Sequence, residues 1–211
     1  MSALENLNER IYNQRKRSWA MYDWANSAFI LTIVTAVLPI YYSDVAGDTL
    51  PSQATATQYW SLTLSISVLI VALLSPILGA VSDIMRGKKK FLAAFTGLGV
   101  IGSALLYFVQ NGDWLMASIF FIIGRVGFGS AVVFYDALLP HVAREEDQDR
   151  VSTTGYVFGY LGSGLLLIGN IVMIQTLPGT LGVRLSFLSV ALWWLIFALP
   201  LFRNIPEPES A

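Results

Sequence analysis

Six apolar runs dominate this chain, at about residues 18–42, 58–82, 91–110, 114–138, 151–176 and 184–202. Each is long enough to cross a bilayer core of about 30 Å as a helix, which takes roughly 20 residues. The cations between them are segregated. Arg10, Arg15, Lys16 and Arg17 precede the first run, and Arg86, Lys88, Lys89 and Lys90 follow the second. Arg144 and Arg150 follow the fourth, and Arg203 follows the sixth. Of the 13 cations only Arg184 falls on the other side, and Arg125 lies within a run. Cation-rich connections stay in the cytoplasm. The pattern therefore predicts six spans in an all-α membrane bundle, with both termini cytoplasmic.

Composition agrees with a membrane solvent. Hydrophobic residues make up 55% and charged residues 13%, against about 25% charged in soluble domains. The chain has no cysteine and one histidine, His141. That excludes disulfides, thiolate sites and multi-histidine metal sites, and no cofactor or metal is expected. With net charge -1 and its cations beside the spans, the chain carries no nucleic-acid signal. Residues 1–17 are polar, lack the apolar core of a signal peptide, and read as an arm whose cations snorkel to headgroups. Residues 18–203 form the bundle. Residues 204–211, acidic and proline-rich, read as a cytoplasmic tail or the start of a linker.

Arg125 is the sharpest single residue. It follows Trp114 by eleven positions, which at ~1.5 Å per residue puts it ~16 Å deep. Facing lipid there would cost at least ~2.5–3.5 kcal/mol. It should face a cavity, as an anion-binding or proton-coupling group, or bond to helix backbone as a structural cation. Asp136 lies three turns further along the same face. Asp23, Asn26 and Ser27 share one face of the first span. These residues read either as the lining of a cavity mouth or as ordinary interfacial polar groups. Trp19 and Trp24 fit the aromatic belt of an interface, and Pro39 predicts a kink. Asp83 ends the second span, where a carboxylate opposes the helix dipole, so a nearby cation, the N-terminus of another helix or a solvated helix end is expected. Gly79, the Gly97, Gly99 and Gly102 series, and the Gly155, Gly159, Gly162 and Gly169 series read as close-packing faces.

Several stretches resemble a known family. Gly79 and Asp83, followed by Gly87-Lys88-Lys89, are similar to the signature loop between the second and third helices of the major facilitator superfamily, with Arg86 inside it. Arg125 to Gly129 resembles the superfamily's fourth-helix motif, with Phe128 at its usual polar position. The stretches 18–29, 134–140 and 151–162 look like the vacuole-effluxer branch. The resemblance implies a secondary transporter moving a small solute by alternating access, with amino-acid efflux as the best-known activity of the branch. If transport is ion-coupled, a proton is the expected ion, since the sequence has no sodium-site pattern. It implies that Asp23, Asn26, Arg125 and Asp136 line the cavity, and that Gly79, Asp83, Arg86, Gly87 and Lys88 form a cytoplasmic gate. It also implies twelve spans in two halves, each a 3+3 inverted repeat. This chain supplies the first half, so a second six-helix half, as a homodimer or a separate chain, is an expected partner beside the lipid bilayer. A non-transporting partner module or a fragment is the alternative. An enzyme is not expected, since no clustered catalytic set is present. The host would be an inner or plasma membrane, or a vacuolar membrane in a eukaryote.

Overall fold

A computed structural model describes residues 3–84 and 87–208, with the backbone alone for Ala3 and Asp83. The first helical stretch runs through α1 (Ala3–Ala28), a π-helical segment (Phe29–Val37), the short α2 (Leu38–Tyr41) and a second π-helical segment (Tyr42–Ala46). Then come α3 (Gln53–Ile84), α4 (Lys88–Leu105), α5 (Trp114–Asp136), the short α6 (Leu139–Val142), α7 (Gln148–Thr176) and α8 (Leu181–Asn204). Among the described residues, six helices are long and apolar enough to cross a membrane. Helix is the economical answer for such sequence, because a bilayer offers no partner for free backbone groups. Hydroxyls follow the same logic. Ser61, Ser65 and Ser75 on α3 donate back to the carbonyls four residues earlier, at 2.9, 2.8 and 2.7 Å.

The expected kink at Pro39 takes the form of a widened helix. Proline has no N–H to return to the preceding turn. The backbone loosens ahead of it, and Leu38 N bonds to Ile33 O, five residues back. The Asn111–Asp113 connection is a tight turn, with Gly112 at φ +84 and Gln110 N bonded to Asp113 Oδ2 at 2.9 Å.

Two glycine seams set the packing. On the α4–α5 seam, a Cβ on Gly127 would sit 2.2 Å from Gly99 N, and one on Gly102 would sit 2.3 Å from Gly124 N. These helices touch backbone to backbone. On the α1–α7 seam, Gly155, Gly159 and Gly162 receive Asp23, Ser27 and Trp24. The remaining close neighbours among the long helices are α3 with α5, α1 with α8, α4 with α8 and α7 with α8. Exchanging the first three long helices (α1, α3, α4) with the last three (α5, α7, α8) maps this pattern onto itself. The α1–α7 contact becomes α5–α3, α1–α8 becomes α5–α4, and α4–α8 is unchanged. Only α7–α8 stands outside the exchange.

Three packing expectations need correction. Gly79, Gly97 and Gly169 meet nothing within 4 Å where a Cβ would be. Small residues permit close approach, but here no helix among the described residues approaches. Trp19 is not an interface-belt residue. It is buried, stacks on Tyr135 at 4.2 Å, and donates its Nε1 hydrogen to the Tyr135 carbonyl at 3.2 Å. Trp24 packs between Phe158 of α7 and Trp193 and Phe197 of α8.

Candidate functional site

A pocket of about 210 Å³ lies where α1, α5 and α7 meet, and Asp23, Asn26, Ser27, Phe128, Tyr135, Asp136 and Tyr156 are among its lining residues. Its geometry follows from the α1–α7 seam. Gly155 leaves the room that the Asp23 carboxylate fills, since a Cβ there would stand 2.5 Å from Asp23 Oδ2. From the other side, Tyr135 Oη lies 3.1 Å from Asp23 Oδ2 and 3.1 Å from the Trp19 carbonyl, so one hydroxyl proton serves both. Trp19 and Tyr135 thus bond reciprocally across their stacked rings. The result is a carboxylate fixed within a helix bundle, with a single neutral donor and no cation in ion-pair contact among the described residues.

The sequence-chosen residues gather in part. Asp23, Asn26 and Asp136 line the pocket together, with Asn26 buried and Asp136 exposed at the end of α5. Arg125 is not in the lining. Its guanidinium lies 5.6 Å from the ring centre of Phe128, which does line the pocket. Its Nε is buried without a hydrogen-bond partner among the described residues, and no carboxylate reaches it there. Gly129, at the end of the same motif, is a packing residue: its Cβ would stand 2.5 Å from the Val71 side chain of α3.

The loop motif divides. Gly87 adopts φ +115 at the start of α4, a conformation that costs any residue with a Cβ. Lys88 Nζ lies 3.3 Å from His141 Nε2, tying the loop to α6. Lys89 Nζ bonds to the carbonyls of Phe202 and Ile205 at the end of α8, where the helix dipole favours a cation. Gly79 faces open space on α3. Arg86 and the Asp83 side chain lie outside the described residues.

Sequence reasoning did not single out Tyr135 as the partner of Asp23, nor Tyr156, which stands 65% exposed beside the pocket. It also missed how the N-terminal arm is held. Tyr12 donates to Asp147 at 2.5 Å and accepts from Arg144 N at 3.1 Å, while Lys16 reaches Asp147 at 3.3 Å. These contacts join residues more than 130 positions apart, and no local pattern announces them.

The profile of the vacuole effluxer Atg22-like family matches residues 48–149 and 141–210. The chain belongs to this family. Among relatives, it is 37% identical over 203 residues to the uncharacterized MFS-type transporter YxiO of Bacillus subtilis, a match covering 93% of this chain and 47% of that protein. It is 25% identical over 208 residues to autophagy-related protein 22 of Coccidioides immitis, covering 71% and 34%. The fold matches that of XylE, described as a major facilitator superfamily proton:xylose symporter, with a TM-score of 0.75 at 16% identity. That match covers 95% of this chain and 46% of XylE. The chain is therefore an integral, multi-pass membrane protein with the major facilitator fold, in a family of transporters rather than enzymes. It spans about half the length of the relatives and structures just named, XylE and YxiO.

Proposed function

We propose that this chain forms one half of a secondary transporter that moves a small solute by alternating access. The observation carrying this reading is Asp23, a carboxylate held by Tyr135 in a pocket among membrane helices. An ionisable group within a membrane span is a functional candidate by default. Asp23 and Asn26 would contact the solute, Asp136 would stand at the mouth, and Arg125 would complete the site from behind Phe128. A proton is the coupling ion this reading favours, since a carboxylate with one neutral donor can exchange one. The solute class it favours is an amino acid, whose ammonium and carboxylate would match Asp23 and Arg125. Both termini would lie in the cytoplasm, in a cell or inner membrane for a bacterial chain and a vacuolar membrane for a eukaryotic one.

The pocket is smaller than the roughly 300–1,000 Å³ of complete ligand sites, as half a cavity would be. Large apolar side chains of α3 and α7 remain exposed, among them Leu73 and Tyr160. They suit a second six-helix unit, another copy or a separate chain. In that assembly Gly79, Asp83, Arg86, Gly87 and Lys88 would gate the cytoplasmic side, with the uncovered Gly79 as the point of approach. The exposed apolar side chains of α3 and α7 favour a second reading, a module that pairs with a transporter without itself binding solute.

Native mass spectrometry of the purified assembly, followed by amino-acid exchange in proteoliposomes, tests both readings. The expected result is a mass of two six-helix units and exchange abolished by Asp23→Asn and by Arg125→Ala. Exchange at the unmodified rate in both variants would remove these residues from the pathway and leave the pairing module.

A further inference from the structure

A second recess lies on the opposite flank of the α1–α7 seam. With Gly155 and Gly159 turned to α1, Ser152 and Tyr156 fall on the pocket side of α7, whereas Thr154 and Phe158 fall on the other. There, α1 and α7 enclose about 310 Å³ at the cation-rich end of the bundle. Lys16, Arg17, Arg150, Asn13 and Thr154 form its polar part, and Phe158 lies at its apolar end. Asp147 also lines it, but is engaged by Lys16 and Tyr12. Arg17 and Arg150 are exposed and have no ion-pair partner among the described residues. The recess thus holds a net positive charge with two guanidinium groups free to turn.

We infer that this recess is a binding site for the phosphate headgroup of an anionic membrane lipid. Its depth supports a lipid. Arg17 and Arg150 each stand immediately before an apolar span, which is headgroup level. Arginine suits phosphate because its planar fork binds two oxygens at once. The surface beyond the recess supports an acyl chain. Leu161 and Leu165 lie two and three turns on from Thr154 along the same flank of α7, and are 60% and 57% exposed. A soluble anion would use the cations and leave this apolar track unused, whereas a phospholipid covers both. Phe158, at the apolar end of the recess, packs edge-on against Trp24, and among the described residues the recess shares no lining residue with the Asp23 pocket. The site is therefore separate from the Asp23 pocket and does not depend on a transport function.

The test is native mass spectrometry of the full chain titrated with phosphatidylglycerol or phosphatidylcholine. One phosphatidylglycerol should bind more tightly than any phosphatidylcholine. An Arg17→Gln/Arg150→Gln double variant should weaken that step roughly 30-fold, at about fivefold for each cation near a membrane surface. Arg17→Lys/Arg150→Lys should keep most of the charge-driven affinity, and Arg10→Gln should leave it unchanged. If the glutamine variant does not fold, a rise in the melting temperature of the unmodified chain with phosphatidylglycerol, and none with phosphatidylcholine, reads the same site. Equal binding of the two lipids, or an unaffected glutamine variant, would overturn the inference. So would displacement of the lipid by inorganic phosphate alone, which would make this a soluble-anion site.

Discussion

His141 and Lys88 meet at the cation-rich end, 3.3 Å apart. Partial burial, and then the Lys88 ammonium, hold the His141 imidazole below its ordinary value of 6.5. The neutral ring accepts the Lys88 proton, whereas a protonated ring would place two cations in contact. The unfolded chain takes up its proton near the ordinary value, before the fold does. Stability from this contact is therefore full above that value, declines as pH falls through it, and stops declining below the folded value. Melting temperature followed from neutral to mildly acidic pH should show this loss, and His141→Gln should flatten it. An identical profile in the variant would mean that His141 does not report the Lys88 contact. The partner of Asp23 has the same long-range character. The carboxylate stood out in the sequence because it shares a face with Asn26 and Ser27. Its donor, Tyr135, is 112 positions away, and only the tertiary fold brings them together.

At the scale of elements, the glycine seams separate what spacing can say from what it cannot. Gly97 and Gly99 sit in one series, yet a Cβ at Gly97 meets nothing within 4 Å, whereas Gly99 lies against Gly127. Gly127→Ala would put its methyl 2.2 Å from the Gly99 nitrogen. Backbone cannot turn aside as a side chain can, so a loss of about 1–3 kcal/mol or more is expected. Gly97→Ala should instead gain up to about 1 kcal/mol from helix propensity. Detergent unfolding of the two variants checks this, and equal effects would sink the proposed seam. The six apolar runs and the fold class were legible because hydropathy and helix length act locally. The faces that meet, and the absence of Arg125 from the lining of the Asp23 pocket, were not, because each depends on how separate helices pack. Gly79 and Gly169 show the same limit: the sequence marked small faces, but no helix among the described residues covers them.

For the whole molecule, orientation is the property from which every functional reading starts. The exchange of three helices for three makes the bundle nearly self-similar, so packing alone does not distinguish its two ends. Charge does. Lys89 caps the end of α8, Lys16 and Arg144 hold the arm, and Lys88 joins α4 to α6, all at one end. The opposite end has Arg184, whose Nε donates to the Tyr107 carbonyl at 2.6 Å. Moving a cation block across a membrane costs far more than moving the short turns at 47–52 and 110–113, so the cation-rich end should remain in the cytoplasm. The absence of cysteine makes this testable without background. Single cysteines at Asn8, Lys90 and Gln148 should resist a membrane-impermeant maleimide applied to intact cells and react after permeabilisation. Cysteines at Ser52 and Asn111 should react in intact cells. The reverse pattern would invert the topology and put the Lys88 loop, and any gate built on it, on the outer face. A mixed pattern would mean that the chain inserts both ways, and a single alternating-access cycle could not then be assigned to it.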